Sequence, residues 1–116
     1  MDIMNSSRST IARVSGNSIL ASSGSTIGYV ENGRVMSSNR STIGYIERGS
    51  IMSSNRSTVG RYDREKIMSS SGSTLFYLDG KTIMKSSRST IGYTSENIVN
   101  YLEQVIAYIV FFSGWW

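Results

Sequence analysis

The sequence predicts an all-β protein with one C-terminal helix: a closed, twelve-stranded antiparallel barrel of six pseudo-symmetric hairpin repeats around a central hydrophobic helix. Three observations predict it. A Ser-Thr-apolar triplet recurs every sixteen residues without insertion, at Ser9-Thr10-Ile11, Ser25-Thr26-Ile27, Ser41-Thr42-Ile43, Ser57-Thr58-Val59, Ser73-Thr74-Leu75 and Ser89-Thr90-Ile91. An Ile-Met-like pair keeps the same period at Ile3-Met4, Ile19-Leu20, Val35-Met36, Ile51-Met52, Ile67-Met68 and Ile83-Met84. The two chain ends are out of phase, so that each supplies the strand the other lacks. Repetition this regular means that each unit is one supersecondary element which must pack on its neighbours to bury its apolar face.

Within one repeat, Ser25 to Glu31 is rich in β-branched and aromatic residues, Asn32-Gly33 follows, and Arg34 to Ser38 is a second strand-like run. Asn-Gly between such runs predicts a two-residue type I′ hairpin, because that turn needs positive φ at both central residues. The turn pairs Glu31 with Arg34, Val30 with Val35, Tyr29 with Met36 and Gly28 with Ser37. Unlike charges meet, and apolar meets apolar. A second tight turn, through Asn39-Arg40 here and Ser71-Gly72 two units later, passes the chain to the next hairpin.

Alternation along a strand assigns the faces. The Tyr29 column reads Arg13, Tyr29, Tyr45, Arg61, Tyr77, Tyr93, and a position that accepts Arg or Tyr is expected to be wet. The Val35 column is Ile or Val in every copy and is expected to be dry. Gly28, Val30 and Val35 and their equivalents are therefore placed inside, with Ile27, Tyr29 and Met36 on the outer face.

Residues Asp2 to Ser6 match a second strand without a first, and Ser89 to Thr94 match a first strand without a second. Pairing them closes the sheet and removes its open edges. A barrel this wide is not filled by its own wall side chains, so the lumen needs an occupant. Ser95 to Phe112 breaks the repeat, offers Thr94 or Ser95 as a cap, and becomes apolar on every side, which predicts a buried helix. The chain is then one repeat domain, residues 1–116, with barrel strands in 1–94, the central helix in 95–112 and an aromatic tail in 113–116. The Gly28, Gly44, Gly60 and Gly92 column would let the helix approach the wall, and Phe76 in the same column would fill space beside a small residue such as Ala107. The competing architecture is a β-solenoid of sixteen-residue coils with the Ser-Thr pairs stacked as a ladder.

The Ile-Gly-Tyr-Val/Ile-Glu and Asn-Gly hairpin repeats, followed by an aromatic C-terminal helix, resemble small bacterial β-flower repeat proteins. Twelve antiparallel strands around a hydrophobic helix also resemble the Tubby-like barrel. The second resemblance implies, at the level of fold alone, binding to anionic phosphoinositide headgroups or regulation at membranes. None of the ligand residues of that family can be matched here.

Composition narrows the chemistry. The chain has no Cys and no His, which removes thiol chemistry, disulfides, imidazole bases and the usual zinc ligands together. The abundant serines have no base to activate them and read as turn and strand-end residues, so an enzyme is not expected and no cofactor is implied. Met1 to Ser6 contains no apolar run of signal-peptide length, which predicts a cytoplasmic protein, peripheral at a membrane if it binds one. The C-terminal segment is interrupted by Glu103 and Gln104 and is short for a membrane span.

Twelve Lys and Arg against eight Asp and Glu give a net charge of +4, sorted by rim. The turns entering each first strand carry Arg8, Arg40, Arg56 and Arg88 among serines and asparagines with no carboxylate, while the opposite rim mixes both signs. A helix running back toward the arginine rim would deliver Trp115 and Trp116 there. The ligand-binding candidates are thus Arg8, Arg40, Arg56, Arg88, Trp115 and Trp116, for anionic lipid or another phosphate-bearing ligand. Nucleic acid ranks below these for want of an interleaved aromatic strand face. The structural alternative has the same arginines neutralise the helix C-terminus and stack on the two Trp. A self-assembling repeat protein, a homo-oligomer through the Ile27, Tyr29 and Met36 columns, is the other class. Alternation points Lys85 inward, so a buried Lys85–Glu103 ion pair is expected as a structural element.

Overall fold

Each β-rich run becomes a strand, and each Ser, Asn, Gly or Arg cluster becomes a turn. The computed structural model describes residues 1–116. The strands are β1 (Asp2–Asn5), β2 (Thr10–Ser15), β3 (Ser18–Ala21), β4 (Thr26–Glu31), β5 (Arg34–Ser37) and β6 (Thr42–Glu47). They continue as β7 (Ser50–Ser53), β8 (Thr58–Tyr62), β9 (Lys66–Ser69), β10 (Thr74–Asp79), β11 (Thr82–Lys85) and β12 (Thr90–Thr94). Every strand is antiparallel to its sequence neighbours, and β1 pairs with β12 through Ile3–Thr94, Met4–Tyr93 and Asn5–Gly92, closing the barrel. The solenoid alternative is thereby excluded.

The hairpin register follows turn chemistry. Asn32 and Gly33 have φ of 51° and 80°, the positive pair that a type I′ turn requires, and Gly28–Ser37, Tyr29–Met36, Val30–Val35 and Glu31–Arg34 face each other as the sequence predicts. Arg48 and Gly49 repeat that geometry at 51° and 84°.

Two inward rows line the barrel. Ile3, Ile19, Val35, Ile51, Ile67 and Ile83 are fully buried, and Val14, Val30, Ile46, Leu78 and Thr94 nearly so. One column departs from simple alternation. Between Ile19–Gly28 and Leu20–Thr26 the register slips by one residue, which leaves Ile27 as the extra member of a β-bulge, and the same slip recurs at Ile11, Ile43, Val59, Leu75 and Ile91. These six residues pack against the core rather than standing on the outer face. The outer placement expected for Ile27 is corrected accordingly: a bulge breaks the two-residue period from which it came.

The C-terminal segment is helical in three pieces, a 3₁₀ turn (Ile98–Tyr101), α1 (Leu102–Ala107) and a π turn (Tyr108–Phe112). The cap is Asn97, whose side chain accepts from the Val99 N–H at 3.2 Å. Thr94 and Ser95, the expected caps, are engaged elsewhere: Thr94 Oγ1 donates to Glu96 O at 2.7 Å, and Ser95 Oγ accepts from the Asp2 N–H at 2.7 Å beside the closing seam. Val105, Ile106, Ala107 and Ile109 have no exposed surface and share one continuous core with the inward rows. No helix is long and apolar enough to cross a membrane.

Beyond the helix, the aromatic tail meets the inner glycines. A Cβ placed on Gly28 or Gly44 would collide with the ring of Phe112 or Phe111, and one on Gly60 or Gly92 would come within 2.8 or 2.9 Å of Trp116 or Trp115. Four glycines on β4, β6, β8 and β12 thus leave room for four rings. Phe76, which shares the buried cluster with Ala107, stacks on Trp116, ring centres 6.4 Å apart, and Trp115 meets Tyr108 edge-on at 6.0 Å.

Candidate functional site: arginines on the outer wall

The arginine turns build the most distinctive surface. In Ser37–Ser41, the Arg40 N–H donates to Ser37 O at 2.9 Å, and Asn39 Oδ1 accepts from the Ser41 N–H at 3.2 Å and from Ser37 Oγ. Arg40 then adopts a left-handed backbone, φ 68°, as do Arg8, Arg56 and Arg88 at 66–70° and their counterparts Gly24 and Gly72. Glycine is the residue this conformation favours; an L side chain there costs roughly 1–2 kcal/mol. Four arginines accept that cost.

Their guanidinium groups lie over tyrosine rings of the wall: Arg8 over Tyr93 at 3.9 Å, Arg40 over Tyr29 at 4.0 Å, Arg56 over Tyr45 at 3.9 Å and Arg88 over Tyr77 at 4.0 Å. An exposed cation–π contact contributes about 0.5–1 kcal/mol, which roughly offsets the backbone strain. Arg8 and Tyr93 meet across the seam; in the other pairs the tyrosine precedes its arginine by eleven positions. Eleven positions before Gly24 and Gly72 stand Arg13 and Arg61. Wherever the turn lacks its arginine, the wall position itself is an arginine. Each of the six repeats therefore carries one guanidinium on the same band of the wall, by one of two routes.

Ion pairs divide this band into two arcs. Arg13 pairs with Asp2 at 3.5 Å, Arg40 with Glu31 at 3.2 Å and Arg56 with Glu47 at 3.3 Å, on the adjoining repeats of β2, β4 and β6. Arg61, Arg88 and Arg8, on the adjoining repeats of β8, β10 and β12, have no carboxylate within ion-pair distance.

The remaining site candidates fall elsewhere. Trp115 and Trp116 sit at the barrel opening over Gly92 and Gly60, with aromatic rather than arginine partners, so the structure does not gather the four arginines around them. Lys85 and Glu103 are both exposed and make no ion pair, which corrects the expected buried couple. Lys85 ends β11 beside the Arg88 turn, whereas Glu103 lies near Asn32, Gly33 and Arg48 at the opposite rim. Alternation aims Lys85 inward, but at a strand end that means the open mouth and water.

Two phenols face the interior. Burial pushes the Tyr108 hydroxyl above its ordinary range. Tyr62 is pushed up first by burial and then, against a lowering hydrogen bond with Gly49, by the charges of Glu103 and Glu47. Both stay neutral near pH 7 and act as polar-tipped fillers of the core. No group of three or more acidic, His or Cys side chains gathers to hold a metal.

The pairing of arginine with tyrosine escapes a column-by-column reading, which asks only whether each position is wet or dry. Its signal is present as the joint alternation of two columns: Tyr with Arg, or Arg with Gly.

Short hairpins closed into a ring and followed by a helical tail define a β-repeat barrel. Residues 1–113 match the 5-fold beta-flower protein family, and the chain belongs to that family. Five of its hairpins are continuous in sequence, and the sixth repeat is assembled from β12 and β1 across the seam. Comparisons with curated proteins and with solved structures return no match.

Proposed function

We propose that the chain is a non-catalytic binding module for multivalent phosphate-bearing ligands, held by the guanidinium band of the outer wall. One observation carries this reading: a guanidinium is present on all six repeats although two different residue patterns supply it. If the arginines served only to cover tyrosines, the repeats without that tyrosine would need no arginine. Guanidinium forks match phosphate oxygens in geometry and charge. Arg8, Arg61 and Arg88 form the arc best suited to an external anion, since Arg13, Arg40 and Arg56 already face carboxylates.

The band runs around the edge of a body with extents of 36 × 33 × 22 Å. Strands of six residues span about 20 Å, which makes the short extent the barrel axis. A planar membrane laid against such an edge meets only a few repeats, which favours a flexible or compact ligand. Of the two Trp at the opening, Trp115 then packs against the core and Trp116 caps Phe76 with part of its ring exposed.

Inorganic tripolyphosphate tests this reading by calorimetry. Changing Arg8, Arg61 and Arg88 together to Gln is expected to weaken binding about tenfold or more, and added salt should weaken it in the unaltered protein. The thermal midpoint should move only by the few degrees that the two exposed stacks of Arg8 and Arg88 allow. The rival reading, a purely structural repeat protein, draws on Arg40 and Arg56, whose tyrosine and carboxylate contacts already occupy them. It predicts no saturable, salt-dependent binding at all.

A further inference from the structure

We infer that a groove beside Tyr77 binds an organic phosphomonoester, with the phosphate held by Arg64, Lys66 and Arg88 and the apolar body lying against Met84 and Val99. The inference deepens the anion-binding reading and rests on it through Arg88. The groove encloses about 390 Å³, room for a small organic molecule. Tyr77 is its hub: it pairs with Lys66 on β9 and Met84 on β11 and lies beneath the Arg88 guanidinium.

An internal control sits two repeats earlier. Tyr45 heads the equivalent groove, of about 370 Å³, with Asn32, Arg34, Glu47 and Arg56 where this one has Arg64, Lys66, Asp79 and Arg88. In the earlier groove, Glu47 reaches Arg56 at 3.3 Å and occupies it. Asp79 is one methylene shorter and makes no ion pair with Arg88, which leaves that guanidinium free. Arg64 in place of Asn32 adds a cation, so three cations face the two carboxylates of Glu65 and Asp79, whereas the earlier groove balances two against two.

The second difference is apolar. The 3₁₀ turn is tied to the barrel by the Ile98 N–H, which donates to Gly80 O at 2.9 Å, and this brings Val99 to the lip of the groove. Val99 is 49 % exposed, a large aliphatic side chain left uncovered beside three unpaired cations. The earlier groove has no such lip; Tyr45 is its one apolar lining residue. Cations at one end and aliphatic surface at the other fit an anionic head on an apolar body better than they fit inorganic phosphate.

Phenyl phosphate and inorganic phosphate, titrated while backbone amides are followed by NMR, test the site. Phenyl phosphate is expected to bind saturably, with shifts concentrated at Tyr77, Gly80 and Val99, and more tightly than inorganic phosphate. Lys66→Gln should weaken both ligands by up to about tenfold. Val99→Ser, at an exposed position, should weaken phenyl phosphate about threefold and leave inorganic phosphate unchanged. Arg61→Gln, in the band but outside the groove, should weaken tripolyphosphate and spare phenyl phosphate. Shifts centred elsewhere, or a Val99→Ser variant that binds phenyl phosphate as before, would overturn the inference. If phenyl phosphate fails while tripolyphosphate still depends on Arg8, Arg61 and Arg88, the groove falls and the band stands. Phosphatidylcholine vesicles carrying phosphatidic acid distinguish the sources: recruitment reversed by phenyl phosphate places the phosphomonoester on a lipid, and phenyl phosphate binding without recruitment places it on a soluble compound.

Discussion

A chain ending at Thr94 is expected to remain unfolded. Deleting residues 95–116 removes Ile98, Val105, Ile106, Ala107, Tyr108 and Ile109, all buried in the single core, together with the aromatic tail. A large aliphatic or aromatic side chain contributes about 1.5–3 kcal/mol on burial, and the loss of this set is comparable with the 5–15 kcal/mol that typically holds a small domain together. The deletion also removes the Ser95 hydroxyl that accepts from Asp2 beside the seam between β1 and β12. Circular dichroism and sizing chromatography would report the result. A soluble, monomeric, cooperatively melting truncated chain would mean that the barrel does not need its helical tail.

The second large effect is expected in the inner glycine column. At Gly44 a Cβ would meet the Phe111 ring and lie 2.7 Å from the Met52 carbonyl oxygen of the paired strand, so Gly44→Ala forces both a side chain and a backbone to move. Overpacking of this kind costs about 1–3 kcal/mol, and Gly44→Val should cost more. The cost should fall when Phe111→Leu is added to Gly44→Ala, because the smaller side chain relieves one of the two collisions while the carbonyl contact persists. Denaturant melts of both single variants and the double variant check this. Additive costs would mean that Phe111 does not lie on Gly44.

Much of this arrangement is written in local chemistry. Asn32-Gly33 determines a hairpin register, and the register determines which residues face each other. The unpaired half-units at the two ends determine closure, because antiparallel edges without partners are a liability. Three features do not follow from one-dimensional periodicity. Ile27 moves to the core because a bulge between β3 and β4 adds one residue to one strand, an event invisible to alternation. Asn97 rather than Thr94 or Ser95 caps the helical tail because those hydroxyls are taken by contacts beside the closing seam. Lys85 and Glu103 fail to meet because a column at a strand end points to the mouth, and the helix starts at the other one.

The candidate site was legible in part. Arg8, Arg40, Arg56 and Arg88 stand out as a carboxylate-free set of turns, but their direction depends on a left-handed backbone that ordinary propensity assigns to glycine. That backbone lays the arginines on the outer wall and leaves Trp115 and Trp116 to the barrel opening. Once the stacking on tyrosine is known, Arg13 and Arg61 join the set as equivalents reached by substitution.

The claim that the guanidinium itself is what each repeat preserves can be tested by converting one repeat pattern into the other. Arg8 stacks on Tyr93 within the unpaired arc, and the repeat containing Arg13 and Gly24 has an arginine on the wall and a glycine in the turn. Arg8→Gly alone relieves a left-handed backbone while losing a cation–π contact of similar size, so the thermal midpoint should hardly move. Tripolyphosphate affinity should nonetheless drop severalfold, since one charged donor of the arc is gone. Adding Tyr93→Arg restores a guanidinium to the wall by the second route, and the double variant is predicted to bind within about twofold of the unaltered protein. A double variant as weak as Arg8→Gly, or an Arg8→Gly variant that binds normally, would contradict it.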